Sequence, residues 1–371
     1  MKAKYNSGFH LANQRTITSL EWNSRSEAAL AWLQRSIAAT GNQGSAHSFA
    51  LHRGWAKAYP ETTGYLIETL FDYAELLQRP DLRQTALDCT NWLLSIQLGS
   101  GAFPALTAGN AMPSIFNTGQ ILFGLTRTAE ELPTGNAQHA ACMRAISRAV
   151  QWMLDQQEPD GAWRQWAYVP GFVPTYYTRA VWGVLKANTL LQNETAEAAM
   201  RRALHFYSGR FLPNHSVQDW GFWPDKPAFT HTIAYTLEGF LECALLLNEP
   251  EILEKTKATT DHLLSICVEN KRTAGAYDAN WKGDYSFICC TGNAQLSVLC
   301  HRFWQLTGEE KYQQAAGAFL LEIVDYQSNS WLSGLRGALP GSVPVWGKYL
   351  PLRYPNWGLK FFLDAWGKVF A

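Results

Sequence analysis

Apolar positions recur at helical spacing along the chain, and loops rich in Gly, Pro and aromatic residues separate the periodic segments. Between Ser24 and Ala39, residues Ala28, Leu30, Ala31, Leu33 and Ile37 fall on one side of a helix that Gly41 would end. From Thr62 to Leu77 the apolar face is Leu66, Ile67, Leu70, Phe71 and Ala74. From Asp81 to Gln97 it is Leu82, Ala86, Leu87, Trp92 and Leu93. The alternation continues, predicting helices near 114–131, 137–157, 174–191, 195–209, 229–247, 250–269, 291–307, 309–327 and 357–370. Strand signals are few and sit in loops such as 343–346.

Six of these helices begin in the same way, with an aromatic or proline-rich loop ending in small polar residues. Examples are Tyr59-Pro60-Glu61-Thr62-Thr63-Gly64-Tyr65, Asn117-Thr118-Gly119-Gln120 and Cys290-Thr291-Gly292-Asn293. With Gly64, Gly119, Arg179, Ile233, Gly292 and Gly358 as anchors, the steps are 55, 60, 54, 59 and 66 residues. A period of that size marks a repeat architecture. Twelve helices in six hairpins predict an all-α (α/α)6 toroid with inner and outer rings, because closure spares the end repeats from exposing apolar faces. The expected organisation is a single toroid domain over residues 1–371, with 1–20 a polar arm. A second repeat runs through Gln97…Gly101-Ala-Phe103, Gln157…Gly161-Ala-Trp163 and a shorter Gln218-Asp-Trp220-Gly221-Phe-Trp223. It is similar to the Gln…Gly-x-Trp clasp of terpenoid-cyclase-like toroids and is expected to be structural.

Composition narrows the function. Hydrophobic residues make up 47% and charged residues 17%, so a large core is available. The 31 basic and 31 acidic residues leave no net charge, and no Lys/Arg cluster resembles a nucleic-acid or membrane-surface patch. No apolar run reaches membrane-spanning length, so neither nucleic acid nor membrane insertion is expected. Seven cysteines, two of them adjacent at Cys289-Cys290, do not form a disulfide framework, which predicts a reduced, cytoplasmic protein. Cys290, Cys300 and His301 lack zinc-ligand spacing; no metal and no cofactor are expected.

In such a toroid the loops leading to the inner helices gather at one end and line a funnel. They are rich in Trp and Tyr, which stack on sugar rings, and in Arg, Asn and His, which bond hydroxyls and carboxylates. Candidate ligand-binding residues are Tyr59, Asn117, Arg179, His231, Asn293, Arg336, Tyr354 and Trp223. Glu61 and Asp278 are candidate acids or bases, and Tyr65, Tyr177, Tyr235 and Tyr285 candidate proton-transfer tyrosines. Trp281 and Trp357 are expected to fill gaps between helices.

Three segments carry a family likeness: Tyr59–Tyr65, Phe287-Ile-Cys-Cys-Thr-Gly-Asn-Ala-Gln295 and Arg336-Gly-Ala-Leu-Pro-Gly-Ser342. With Trp346-Gly-Lys-Tyr349 and Tyr354–Phe362, they resemble bacterial exopolysaccharide-biosynthesis proteins of the VpsJ type. Those resemble in turn the toroidal domain of glucuronyl C5-epimerases and, more distantly, unsaturated glucuronyl hydrolases. The resemblance implies a uronic-acid-containing glycan as substrate, with other polysaccharide-biosynthesis proteins as candidate partners. It points first to C5 epimerisation, in which tyrosines exchange the C5 proton and Arg179 or Arg336 holds the carboxylate. A hydrolase or lyase of the same fold, or a non-catalytic saccharide-binding protein, is the alternative.

Overall fold

A computed structural model describes residue 9 and residues 15–371. Twelve α-helices are placed among the described residues: α1 (Ser19–Ala39), α2 (Pro60–Leu76), α3 (Pro80–Ile96), α4 (Ile115–Glu131), α5 (Ala137–Asp155) and α6 (Thr178–Leu191). They continue with α7 (Glu194–Ser208), α8 (Thr230–Leu247), α9 (Pro250–Asn270), α10 (Cys290–Thr307), α11 (Glu310–Leu321) and α12 (Asn356–Phe370). The even-numbered helices pack successively against one another and α12 closes on α2, making an inner ring. Each odd-numbered helix backs an inner one, with α1 against α12. This is the (α/α)6 toroid expected from the period.

The ring is joined where its two ends meet. The indole of Trp22 on α1 donates to the Trp366 carbonyl on α12 at 3.3 Å, and Trp366 returns the bond to Trp22 at 3.2 Å. Helix α1 starts five residues earlier than its apolar face suggests, because Thr18 caps it by accepting from the Glu21 amide at 3.2 Å. Of the expected polar arm over 1–20, residues 1–8 and 10–14 lie outside the described residues. Phe9 packs on Phe319, ring centres 4.8 Å apart. The single helix expected over 309–327 is broken after Leu321. There the Glu322 carboxylate turns inward to accept from Thr273 Oγ1 at 2.6 Å and Asn293 Nδ2 at 2.7 Å.

The recurring glycine of the repeat has a packing reason. A Cβ on Gly64 would sit 2.6 Å from Ile121 Cα and one on Gly119 2.7 Å from Ala180 Cα; one turn into the next helix, a Cβ on Gly183 would sit 2.1 Å from the Gly119 carbonyl oxygen. Inner helices therefore approach backbone to backbone at these levels. Gly183→Ala is expected to cost ~1–3 kcal/mol by overpacking, read as a lower urea midpoint; an unchanged midpoint would contradict the close approach.

The outer clasps form as expected at two of three places. Gln97 Nε2 donates to Gly101 and Ala145 carbonyls, both at 2.9 Å, and Gln157 Nε2 to Gly161 at 3.2 Å and Ala199 at 2.9 Å. Gln218 makes no such clasp. The third is Gln327, whose Nε2 donates to the Arg25 carbonyl at 2.9 Å and that of Gly337 at 3.2 Å. Its ten-residue spacing hid it from the motif.

Short strands stitch the loops before the inner helices at the mouth of the ring. Strand β1 (Ser48–Ala50) pairs with β2 (Gly54–Trp55) and with β7 (Arg353–Pro355); β3 (Ala228–Phe229) pairs with β4 (Ala276–Tyr277) and β5 (Ile288–Cys289) with β6 (Ser342–Val343), all antiparallel. No described helix is long and apolar enough to cross a membrane. All seven cysteines are buried and free, and no described group of three or more His, Cys, Asp or Glu is placed to hold a metal ion.

Candidate active site

At the mouth of the inner ring the loops enclose a cavity of about 390 Å³. The loop before α2 contributes His47 and Tyr59, and the first turn of α2 contributes Glu61. Leu106 and Phe116 come from the α3–α4 connection and the start of α4, and Tyr168, Val169 and Tyr176 from the loop before α6. Phe222 and Trp223 precede α8, whose first two turns present His231 and Tyr235; Tyr349, Leu350 and Trp357 come from the loop before α12 and its start.

Glu61 is the only carboxyl group among these lining residues. It is 7% exposed. Tyr59 donates its hydroxyl proton to Glu61 Oε2 at 2.6 Å, while the Tyr65 hydroxyl is 3.5 Å from Oε1. Burial raises the carboxyl from 4.5 to about 7, against the lowering influence of Tyr59, Arg179 and Tyr65. The group is thus poised between acid and base near neutral pH. The Tyr59 hydroxyl also lies 3.5 Å from that of Tyr168, which donates to Asn117 Oδ1 at 2.5 Å. Asn117 in turn donates to the Pro104 carbonyl at 2.9 Å, so it holds Tyr168 in place from behind the wall.

Burial keeps both cavity histidines neutral: His47 is lowered to about 4, Arg353 adding to the effect, and His231 to about 3. His231 Nδ1 lies 2.6 Å from Gln295 Oε1, and its ring is 4.3 Å from that of Tyr235. The Trp357 indole donates to the Tyr349 hydroxyl at 2.7 Å, leaving that hydroxyl's own proton free for a ligand.

Behind this wall is a buried ion pair. Arg179, 3% exposed, donates from Nη1 to Glu238 Oε2 at 2.5 Å and from Nε to Gln120 Oε1 at 2.9 Å. Its guanidinium lies 4.8 Å from the Tyr235 ring centre and 5.9 Å from that of Tyr65. Burial raises the Glu238 carboxyl while Arg179 opposes the rise.

Of the residues singled out from sequence, Tyr59, Glu61, His231, Tyr235 and Trp223 meet at the cavity. Others do not. Tyr65 is sealed beneath it, linked to the Tyr235 hydroxyl at 3.4 Å. Tyr177 is fully buried against Phe116, ring centres 5.7 Å apart; its neighbour Tyr176 takes the wall position. Arg179 and Asn117 stand one layer back. Asn293 is spent on Glu322, Tyr354 pairs with Phe49 in β7–β1, and the half-buried Tyr285 lies outside the lining. Asp278 caps a turn, accepting the Asn280 and Lys282 amides, both at 2.9 Å, in a separate depression beside Trp220. Arg336 is exposed on the loop after α11 and donates to the Ser330 carbonyl at 3.2 Å, so it cannot clamp a ligand in the cavity. Arg336→Ala is therefore expected to leave turnover and melting temperature unchanged; loss of turnover with an intact fold would return that loop to the site.

Sequence reading missed His47 and Glu238. His47 lies in a Gly/Ser/His loop with no helical phase, and Glu238 sits two turns into α8, deeper than the helix starts. Trp281 fills a gap as expected, donating to the Asn214 carbonyl at 2.9 Å, but Trp357 faces the cavity.

No protein-family model and no curated protein sequence matches the chain. Solved structures do. An unsaturated glucuronyl hydrolase specific for heparin matches with a TM-score of 0.74 at 13% identity, covering 94% of this chain and 96% of its own. One from Bacillus sp. GL1 matches with 0.73 at 13%, covering 93% and 96%. One from Streptococcus agalactiae matches with 0.72 at 14%, covering 100% and 96%. At such identities the likeness is one of fold, and the chain shares the (α/α)6 toroid of these hydrolases.

Proposed function

We propose that the chain is a carbohydrate-active enzyme that takes the end of a uronic-acid-containing glycan into this cavity and hydrolyses it, with Glu61 as proton donor. One observation carries the reading: a buried carboxyl with its pKa raised to about 7 faces an aromatic-walled cavity at the mouth of the ring. The faces of Tyr and Trp side chains suit a pyranose, and the Tyr349 hydroxyl is a free donor for its substituents.

The single lining carboxyl decides which hydrolysis fits. Ordinary glycosidases use two carboxyl groups flanking the bond, whereas Glu61 has no such partner among the described lining residues. An unsaturated uronide is an enol ether and needs one acid–base group. A proton delivered to C4 makes an oxocarbenium ion at C5; water adds there, giving its proton to the carboxylate; the hemiketal then opens and frees the neighbouring sugar. The solved neighbours named unsaturated glucuronyl hydrolases support this choice. C5 epimerisation, the first expectation from sequence, calls for a base on each ring face and a cation on the carboxylate. Tyr65 and Tyr177 are sealed from the cavity and Arg179 and Arg336 do not line it, which weighs against that reading. An exopolysaccharide setting, with other polysaccharide-biosynthesis proteins as partners, rests on the motif likeness alone, and a cytoplasmic location on the cysteine pattern of the sequence.

The test is incubation with a 4,5-unsaturated uronyl disaccharide in deuterated water. Hydrolysis consumes the conjugated absorbance and releases a reducing sugar. Deuterium entering a saturated uronate glycan without cleavage would instead establish the epimerase, and binding without turnover a saccharide-binding protein. As the donor must be protonated, turnover is expected to hold on the acid side and fall as pH rises through about 7; a profile insensitive to that range would remove Glu61 as the acid.

A further inference from the structure

We propose that Glu238 and Gln295 select one tautomer of His231, so that its bare Nε2 faces the cavity and accepts a hydrogen bond from a hydroxyl of the bound sugar. The inference rests on the cavity taking a saccharide, the reading given above.

The chain of partners leaves little freedom. Glu238 Oε2 already accepts from Arg179 Nη1 at 2.5 Å, which keeps this oxygen an acceptor even where burial lets the carboxyl hold a proton on Oε1. Gln295 approaches the same oxygen at 3.4 Å with Nε2, the donor end of its amide. Turning that amide over would set two acceptor oxygens face to face. Gln295 Oε1 therefore points at His231 Nδ1, 2.6 Å away, and accepts the ring proton. A neutral imidazole carries one proton. With it on Nδ1, Nε2 is an acceptor, and no described protein group bonds to it. His231 lines the cavity while its ring is held against Tyr235 and Tyr349, with centres at 4.3 and 5.4 Å.

The cavity thus carries two unlike groups: a carboxyl at Glu61 able to donate and an imidazole nitrogen able only to accept. Held neutral in the wall, that nitrogen is too weak a base to remove a hydroxyl proton, so His231 is a specificity residue for a sugar with a hydroxyl at that position. Gln295 and Glu238 are positioning residues acting through it.

The experiment reads the tautomer and the recognition separately. With isotopically labelled histidine ring nitrogens, NMR of the whole chain is expected to show His231, assigned by its loss in His231→Gln, protonated on Nδ1 and bare on Nε2. Gln295→Met, which removes the acceptor but keeps the volume, should shift the proton toward Nε2. It should also raise KM for the unsaturated uronyl disaccharide about tenfold, the worth of one hydrogen bond, with kcat and the pH profile little changed. A wild-type His231 protonated on Nε2 would overturn the tautomer assignment. The assigned tautomer with unaltered KM in Gln295→Met would overturn the recognition role. If the wild-type chain does not turn over the disaccharide, the hydrolase reading fails, while the NMR arm still decides the tautomer.

Discussion

Glu61→Gln is expected to lower turnover of an unsaturated uronide about 10²–10⁴-fold, the range for removing a positioned general acid, and to leave the fold intact. The amide has the carboxyl's shape and its oxygen can still accept the Tyr59 proton that Glu61 Oε2 accepts at 2.6 Å. What it lacks is a proton to deliver. Stability should respond in the opposite direction. The unfolded carboxyl titrates near 4.5 and the folded one near 7. Between these values the folded chain holds the extra proton, so this group's contribution is fully present below 4.5 and lost as pH rises to about 7. The loss is about 3 kcal/mol at 1.36 kcal/mol per unit. The glutamine variant should lack that slope, so its urea midpoint should overtake wild type above neutrality. His47 and His231 add an opposing slope to both proteins: their depressed values remove stability as pH falls below 6.5. Comparing variant with wild type cancels it. A variant that keeps full turnover would end the role of Glu61, and one that unfolds would make its carboxyl a structural group.

Arg179→Met is expected to be the most destabilising single change at the centre of the ring, at about 3–5 kcal/mol for breaking a buried ion pair from one side. The guanidinium is 3% exposed, bonds Glu238 and Gln120, and lies among the rings of Tyr235, Trp182 and Phe361 at 4.8, 5.1 and 5.2 Å. Its removal leaves the Glu238 carboxylate buried without its cation. Combining Arg179→Met with Glu238→Leu should recover most of the loss, since an apolar pair of similar volume is often no worse than the ion pair. Arg179 also lowers the Glu61 carboxyl, so in the folded fraction of the single variant the alkaline limb of the activity profile should move to higher pH. Urea unfolding of the two variants measures the first effect. Equal midpoints for wild type and Arg179→Met would show that the pair contributes nothing net.

The ring was legible because its cause is local and repeated. Each inner helix starts from a similar loop and carries a small residue where the neighbouring backbone passes, as at Gly64, Gly119 and Gly292. The clasp at Gln327 escaped because its glycine is ten residues on, brought back by a loop rather than a tight turn. Glu61, His231 and Tyr235 meet at the cavity because they sit in the first two turns of inner helices, with Tyr59 immediately before α2, where periodicity fixes direction. Arg336, Tyr285 and Asp278 lie away from the cavity because they are in long loops, and composition says nothing about which way a loop folds. Glu238 was missed for a different reason: an acid in a largely apolar helix, like Glu242 one turn on, reads as an exposed position until the facing Arg179 is known.

The most direct measurement is a crystal structure of the Glu61→Gln variant soaked with a 4,5-unsaturated uronyl disaccharide. The unsaturated ring is expected inside the cavity, against the Tyr235 and Trp357 side chains, with the side-chain amide that replaces the Glu61 carboxyl facing C4. A disaccharide bound instead in the depression beside Trp220 and Asp278, with the cavity empty, would contradict it.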